Sequence, residues 1–394
     1  MKKKLLFIIP GLHMGGAEKA LINLLKKLDE EQQYDLHLWV FDPSGVLMPE
    51  VPQNVTVWHA GPQFDQFSKG LVRSTLYWLL RFQWLSVVYR LWFTWLSKRY
   101  PVNQAEQYSW KALRKFLSPP TTTFDVAIGF LEKTSIYACV DCISAPKKIG
   151  FIRVDYTFLN LDKTFDEAYF QQLDYLCANG TLSEGVLHRE FPALSSRIRC
   201  VENVTFPETI WERSRAEQVI DPKEVSLVTV GRLEAQKGYF LALEACKILV
   251  ERGIPVRWYI IGEGSERQKL EPQIAAYQLT HHFILVGRLE NPYPYMQQCS
   301  VYVQTSLYEG KSNTVNEAKI LRKPIVVTDF DVVFEQITSG VNGIIVAKQP
   351  EAIADALIEV LHSPELQQKL TDQLAQESQR YGKEIEQFTA LLAP

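Results

Sequence analysis

Short apolar runs alternate with longer amphipathic stretches along most of this chain. An apolar run of about four to eight residues bounded by turns is typical of a strand buried on both faces, and apolar positions three and four apart indicate helices. Their alternation predicts an α/β fold with parallel sheets covered by helices. The runs interpreted as strands are 4–10, 35–41, 54–58, 124–130, 147–152, 198–202, 225–230, 256–261, 282–286, 300–304, 324–328 and 343–346.

The length of 394 residues predicts two domains of about 150–200 residues each, because a single core rarely grows that large. A boundary is expected near 203–224, where the chain enters a charged stretch without a clear period. We therefore predict a first domain over 1–203, a second over 204–380 and a terminal helical segment over 381–394.

Composition limits the classes of function. The chain is 46% hydrophobic and 22% charged, which is typical of a folded globular protein, and its net charge of −3 does not favour nucleic acid as a partner. Lys2–Lys4 precede an apolar run that is too short for a secretory signal, so a cytoplasmic protein is expected. Cys139 and Cys142 form a C-x-x-C pair without a second pair, so we expect reduced thiols and no metal site.

A possible anion site lies between two predicted strands near the end of the second half. A turn containing Glu309 leads into a helix that starts with Ser312, Asn313 and Thr314, and Glu317 lies about one helical turn further on. Free N–H groups at a helix start bind phosphate, and carboxylates accept hydrogen bonds from sugar hydroxyls. The alternative is that Glu309 is an exposed turn residue and Glu317 a solvated helix residue.

A second motif follows the predicted strand 225–230. There Arg232 offers a planar fork of donors and Lys237 a point charge, and both suit a diphosphate. The two motifs together suit a phosphorylated sugar. Since ligands of open α/β sheets lie at the carboxyl ends of strands, we expect both motifs to meet there.

With these motifs the chain resembles the retaining glycosyltransferases of family 4, whose GT-B fold has two Rossmann-like domains facing each other across a cleft. In that family the pattern G-R-L-x-x-x-K-G holds the donor pyrophosphate, which implies that role for Arg232 and Lys237. The pattern E-G-x-x-x-x-x-x-E supplies two glutamates, so Glu309 is expected on the donor sugar and Glu317 on the ribose.

The resemblance extends to other turns. It implies that Gly15 and Gly16, after the first strand, let the backbone approach the donor, and that Gly262 and Glu263 lie near the nucleotide. It also implies that the terminal segment crosses back onto the first domain. The segment 309–328 is most similar to the branch that builds capsules and lipopolysaccharides.

Residues on the acceptor side are less clearly indicated. Close relatives commonly have a histidine where this sequence has Arg153, so the usual histidine role is in doubt. Arg153 is a candidate for holding a charged acceptor and Asp155 for accepting from a hydroxyl, while Glu132 and His13 are weaker candidates. Alternatively, Arg153 and Asp155 are surface residues in a loop.

The aromatic segment 71–99 departs from the α/β pattern. On one helix, its residues Trp78, Phe82, Leu85, Tyr89, Trp92 and Leu96 would form a stripe opposite several arginines. This arrangement predicts either peripheral contact with a membrane or a helix packed on the sheet. A spanning helix is disfavoured because Arg81 and Arg90 would lie inside it.

These expectations define a retaining, metal-independent glycosyltransferase without a cofactor. Its partners would be a nucleotide-sugar donor, with a UDP-sugar favoured, and a glycan or lipid-linked acceptor of bacterial surface polysaccharide or lipopolysaccharide synthesis. Two alternatives stay open, a nucleotide-sugar epimerase of the same fold and a non-catalytic protein that binds sugar nucleotides.

Overall fold

The computed structural model describes residues 2–13, 15–309, 311–377 and 384–393. They form two compact units, one containing the residues up to Val204 together with those from Glu384, and one beginning at Thr205. The predicted limit between residues 380 and 381 lies outside the described residues.

The described part of the first unit has a parallel sheet of seven strands in the order β3-β2-β1-β4-β5-β6-β7. Six of them match predicted strands, and β6 was missed because its four residues include no β-branched residue. The strands are β1 (Lys3–Gly11), β2 (Tyr34–Asp42), β3 (Thr56–His59), β4 (Val126–Gly129), β5 (Lys147–Ile152), β6 (Tyr175–Ala178) and β7 (Ile198–Cys200).

Helices cover this sheet with the apolar faces that their spacing predicts. In α1, for example, Leu21, Leu25 and Leu28 are buried at intervals of four and three residues. The helices are α1 (Gly16–Glu31), α2 (Pro62–Ser68), α3 (Leu71–Leu80), α4 (Trp84–Arg99), α5 (Val102–Leu113), α6 (Thr134–Cys142), α7 (Lys163–Phe170), α8 (Thr181–Glu190) and α16 (Glu384–Leu391).

The second unit, as far as it is described, has a parallel sheet of six strands in the order β10-β9-β8-β11-β12-β13. All six were predicted from the sequence as apolar runs. The residues of β11 and β12 are all buried, as expected of strands with helices on both faces, whereas those of β13 are half-buried. They are β8 (Val225–Val230), β9 (Val256–Ile261), β10 (Phe283–Gly287), β11 (Val301–Gln304), β12 (Ile325–Thr328) and β13 (Ile344–Val346).

Two apolar clusters, one on each face of this sheet, form the core of the second unit. Val303 and Leu227 lie in one cluster, whereas Tyr302 and Val228 lie in the other, as alternation along a strand requires. The helices are α9 (Pro207–Ser214), α10 (Tyr239–Glu251), α11 (Arg267–Ala276), α12 (Tyr293–Gln298), α13 (Asn313–Ile320), α14 (Pro350–His362) and α15 (Pro364–Glu377).

The segment 71–99 is not one helix, so the single stripe predicted for it is wrong. The chain turns between α3 and α4, where Phe82 adopts a left-handed conformation with φ of 55°. Trp78 and Leu96, which the stripe placed on one face with Phe82, are buried, and so is Arg90. Within the described residues, every helix is too short or too polar to span a lipid bilayer.

Candidate functional site

The order in which strands are added to the second sheet reverses at β8 and β11, which are parallel neighbours in it. Successive strands lie on one side of β8 and then on the other side, so the loops after β8 and β11 diverge to opposite faces. In open α/β sheets the crevice formed at such a point, at the carboxyl ends of the strands, is where ligands bind. The loop after β8 carries Arg232 and Lys237, and the loop after β11 carries Glu309.

These two loops are tied to each other by backbone contacts. The Leu307 N–H donates to the Gln236 carbonyl at 2.8 Å, and the Thr305 hydroxyl donates to the Lys237 carbonyl at 3.1 Å. Gly238, at φ of 65°, leaves no room for a side chain, since a Cβ there would lie 2.1 Å from the Thr305 carbonyl oxygen. The motif glycine is therefore needed for the close approach of the loops.

An ion pair joins the two predicted motifs. Lys237 Nζ contacts Glu309 Oε1, and the two side chains are only 17% and 11% exposed. The same carboxylate oxygen accepts from Ser306 Oγ at 2.8 Å and from Gln304 Nε2 at 3.2 Å. A carboxylate held by a cation and two neutral donors has a fixed orientation, which a group that positions a sugar requires.

Gln304, at the end of β11, connects this carboxylate to the start of α13. Its side chain is 1% exposed, and its Oε1 accepts from Thr314 Oγ1 at 3.0 Å and from Ser312 Oγ at 3.2 Å. Ser312 is also the N-cap of α13, where its hydroxyl accepts from the Val315 N–H. The buried amide thus fixes Glu309 relative to the helix start.

A second buried amide, that of Gln336, holds the backbone at the same helix start. Its Oε1 accepts from the Ser312 N–H and its Nε2 donates to the Ser312 carbonyl, both at 2.8 Å. Its Nε2 also donates to Asn316 Oδ1 at 2.8 Å. The sequence pattern did not indicate this residue, since Gln336 lies 24 positions after Ser312. It is the C-cap of a short 3-10 helix, Asp331–Glu335.

Arg232 differs from Lys237 because its charged group is available to bind an anion. Its side chain is exposed, and among the described residues it makes no hydrogen bond or ion pair. Its neighbour across the loop is Gly262, where φ is 152° and a Cβ would lie 1.8 Å from the Gly231 carbonyl oxygen. The backbone near Arg232 is therefore fixed, while the guanidinium is free to meet an anion.

The remaining donor-side candidates lie on α13 and in the loop after β9. Glu317 is 7% exposed on α13 and accepts from the Tyr293 hydroxyl at 3.1 Å. Glu263 forms an ion pair with Arg267 at 2.8 Å, and its carbonyl accepts from the Leu233 N–H. Asn313 begins α13. The ribose and nucleotide roles of these residues stay predictions.

The acceptor-side candidates Arg153 and Asp155 lie in the first unit. The Arg153 guanidinium is packed over the rings of Phe130 and Phe151, at 3.8 and 4.4 Å, and donates to Asn203 Oδ1 at 2.5 Å. The residue is 7% exposed, and burial lowers the pKa of the guanidinium to about 9. The alternative of a surface loop residue is thus wrong for Arg153, because its side chain is buried against Phe130 and Phe151.

Asp155 has a local structural role. Its carboxylate accepts from the Thr157 N–H at 2.8 Å and from the Thr157 hydroxyl at 2.6 Å, which caps a 3-10 turn. Glu132 accepts from the Arg153 N–H at 3.2 Å. A catalytic role for Arg153 or Asp155 stays a prediction.

The glycine turn after β1 leads to a cavity in the first unit. Gly15 caps α1 and Gly16 begins it, and the Glu18 carboxylate lies against Gly15. Nearby, His13 Nε2 lies 3.4 Å from Asp42 Oδ2. A cavity of about 800 Å³ opens beside this pair, lined by Phe41, Phe64, Phe67, Phe93, Leu131, Arg90 and Glu106 among others.

Side chains that could bind a metal ion are dispersed over the described ranges. No three His, Cys, Asp or Glu side chains there are grouped as a metal ion would require. Cys139 and Cys142 are free thiols, and burial raises the pKa of both, to about 12 and about 11. The expectation that the reaction needs no metal stays a prediction.

Two α/β units, each with a parallel sheet, are the architecture of the GT-B fold. The family model described as "Glycosyl transferases group 1" matches residues 211–377, which lie within the second unit. The second unit is therefore a group 1 glycosyltransferase domain, and the family resemblance read from the sequence is confirmed.

Individual relatives agree with this assignment. The chain is 32% identical over 150 residues to an α-D-kanosaminyltransferase of Streptomyces kanamyceticus, covering 37% of this chain and 39% of the relative. It is 24% identical over 166 residues to a poly(glycerol-phosphate) α-glucosyltransferase of Bacillus subtilis, covering 42% of this chain and 25% of the relative. The matches thus span well under half the length of these relatives.

Solved structures match the whole chain. The Anabaena protein HepE, in complex with UDP and glucose, superimposes with a TM-score of 0.71 at 15% identity, covering 99% of both chains. At 15% identity, this match is evidence for the fold alone. The predicted fold class, two Rossmann-like α/β domains of the GT-B type, is confirmed.

Proposed function

We propose that this chain is a retaining glycosyltransferase that moves a sugar from a UDP-sugar to a glycan or lipid-linked glycan in bacterial surface polysaccharide or lipopolysaccharide synthesis, without a metal. The observation that carries the proposal is the Lys237–Glu309 pair at the carboxyl ends of β8 and β11, with the exposed Arg232 beside it. The relative from Bacillus subtilis acts on a polymer of glycerol phosphate, and the solved neighbour holds UDP; both support the choice of substrates.

The donor diphosphate is the ligand that this charge arrangement suits. Lys237 is already neutralised by Glu309, so the free cation in the group is Arg232, whose planar fork matches phosphate oxygens. When the bond between the anomeric carbon and the diphosphate oxygen breaks, negative charge grows on that oxygen. Arg232, Lys237 and the N–H groups at the start of α13 would stabilise this charge.

Glu309 would then orient the sugar. Its carboxylate faces Lys237, Ser306 and Gln304, and a sugar hydroxyl is a further donor that it can accept. The acceptor hydroxyl forms the new bond to the anomeric carbon, and its proton passes to the released diphosphate. This route needs no dedicated base.

The acceptor is assigned to the first unit. The cavity beside His13 and Asp42 has apolar walls and several polar groups, as sites for amphipathic small molecules do. Hydrogen bonds from Ser44 hold the pKa of Asp42 below its ordinary value, so this carboxylate is charged at neutral pH and available to a hydroxyl.

The substitution Arg232→Ala tests the donor site directly. Because the guanidinium has no partner among the described residues, we expect no loss of thermal stability, but a rise in the Kd for UDP of about tenfold to a hundredfold. Isothermal titration calorimetry measures the affinity. Arg252→Ala, which removes an exposed pair with Asp355, is the matched control and should bind UDP as the wild type does.

An unchanged Kd in Arg232→Ala would contradict the assignment of the donor site. Release of sugar from UDP-sugar by the wild type would separate an enzyme from a protein that only binds the nucleotide. Recovery of an epimerised UDP-sugar, without transfer or release, would instead indicate the epimerase.

A further inference from the structure

The largest group of exposed apolar side chains in the described part of the molecule belongs to the α3–α4 hairpin, defined here as residues 71–99. Two of them, Phe82 and Trp84 at the turn, are 80% and 62% exposed. The full set in the hairpin is Val72, Leu76, Leu80, Phe82, Trp84, Leu85, Val88, Leu91, Trp92 and Trp95. An exposed patch of this kind marks an interaction surface.

The two faces of α4 have separate tasks. The exposed residues Trp84, Val88, Leu91 and Trp95 recur at intervals of four and three, so with Leu85 and Trp92 they fall on one face about 120° wide. The opposite face is anchored to the protein by Arg90, which is 8% exposed and donates to the Lys69 carbonyl at 3.0 Å. Because α4 is held on its opposite face, the exposed apolar face points away from the residues that α4 packs against.

Charge identifies the partner. From residue 66 to residue 105 the sequence contains Lys69, Arg73, Arg81, Arg90, Lys98 and Arg99 but no aspartate or glutamate, although the whole chain has a net charge of −3. Of these, Arg73, Arg81, Lys98 and Arg99 are exposed. A partner for this surface has to be apolar and anionic at once.

We propose that the α3–α4 hairpin docks on an anionic membrane surface, with Phe82, Trp84 and the exposed apolar face of α4 inserted between headgroups. Tryptophan favours the boundary between lipid and water, and arginine and lysine add attraction to anionic lipids. The hairpin lies in the interface and does not cross it, which agrees with the absence of a long apolar helix in the described residues. This inference does not rest on the donor chemistry proposed above.

Flotation of the full chain with vesicles tests the proposal. We expect binding to vesicles of phosphatidylglycerol and phosphatidylcholine, weak binding to phosphatidylcholine alone, and loss of binding at high salt. The double variant Phe82→Ser, Trp84→Ser should lose at least tenfold in partition coefficient. The matched control is Phe334→Ser, since Phe334 is 62% exposed in the second unit.

The electrostatic part has its own variant. Arg73→Gln with Lys98→Gln should weaken binding to the anionic vesicles about 25-fold, since each cation near such a surface contributes about fivefold. Lys223→Gln with Arg252→Gln, two exposed cations of the second unit, is the control and should bind as the wild type does. Equal binding of wild type to neutral and anionic vesicles would overturn the assignment of an anionic surface.

A tryptophan readout shows whether the hairpin itself enters the lipid. Brominated lipids should quench the wild type, whereas the variant with Trp84, Trp92 and Trp95 changed to Phe should still float with vesicles but lose the quenching. No flotation of the wild type would overturn the proposal. A dimer in sedimentation that Phe82→Ser, Trp84→Ser dissociates would overturn it as well and would show that another copy of the chain covers this face. The Kd for UDP, measured on the same variants, should be unchanged, so failure of the membrane proposal can be distinguished from failure of the donor-site proposal.

Discussion

At the scale of single residues, the proposed donor site depends on whether Lys237 pairs with Glu309 or with a bound diphosphate. Its ion pair with Glu309 is largely buried, and a buried cation that loses its partner costs several kcal/mol, so the two residues form one unit. A diphosphate would give Lys237 a second anionic partner in competition with the carboxylate. Under the proposed function, the pair would therefore restrain donor binding at the same time as it orients the sugar.

Glu309→Gln separates these two effects. The amide keeps an acceptor for Lys237 and Ser306 but removes the negative charge, so we expect UDP to bind as tightly as to the wild type or up to about tenfold more tightly. Sugar transfer or release from UDP-sugar should fall at least about a hundredfold, because the oriented charge near the sugar is lost. Calorimetry and a sugar-release assay measure the two quantities.

The control is Glu224→Gln, which removes a carboxylate paired with Arg257 before the start of β8, at the opposite end of that strand. It should change neither quantity. Loss of UDP affinity in Glu309→Gln together with activity would contradict the competition between carboxylate and diphosphate.

Residues of the two motifs were predictable because their spacing is local. Arg232, Lys237 and Glu309 each follow an apolar run directly, and the parallel sheet brings the ends of those runs together. Gln304 and Gln336 were not predicted, since their importance lies in contacts made only after folding. A glutamine at the end of an apolar strand was the available signal for Gln304, because a buried amide needs partners.

At the scale of elements, the start of α13 is held from outside the helix. Gln336 accepts from the Ser312 N–H, which has no partner within the helix, and donates to the Ser312 carbonyl, which also accepts from the Asn316 N–H. The short 3-10 helix Asp331–Glu335, whose C-cap is Gln336, thus supports the loop between β11 and α13.

Gln336→Ala should loosen this support. The Ser312 N–H loses its acceptor, and the Ser312 carbonyl keeps the bond from the Asn316 N–H. We therefore expect hydrogen exchange of the Ser312 amide to accelerate and the Kd for UDP to rise about fivefold to a hundredfold. Gln367→Ala, which removes one side-chain bond to the Val360 carbonyl, is the control and should leave the Kd unchanged. Faster exchange with an unchanged Kd would show that UDP does not use the helix start.

The α3–α4 hairpin illustrates where element prediction fails. Its apolar spacing of four and three continues through 81–83, where there is no glycine or proline to indicate a turn. The turn is made by Phe82 in the left-handed region, with its N–H donating to the Leu79 carbonyl. The periodicity of apolar residues does not indicate a turn made by a bulky residue in the left-handed conformation.

At the scale of the whole molecule, the two units have separate cores, and the end of the chain belongs to the first. Phe388 of α16 is fully buried and stacks on Phe7 and Phe151, with ring centroids 5.9 and 6.4 Å away. The strands apart from β6 were predictable from apolar runs, and the parallel sheets from the alternation of strands and helices, whereas the order of strands within each sheet was not predicted. The exact place of the last helix was implied only by the family resemblance, because nothing local in its sequence selects a partner.

This arrangement predicts that the two units respond to different perturbations. Phe388→Ala should destabilise the first unit by about 3–5 kcal/mol through the cavity it creates, while Phe283→Ala should do the same to the second unit. If UDP binds where we propose, it should stabilise only the second unit in thermal unfolding of the full chain. UDP should therefore shift the transition lowered by Phe283→Ala and leave the transition lowered by Phe388→Ala in place. A single transition that both substitutions and UDP move together would show that the cores unfold as one, and that the donor site draws its stability from the whole chain.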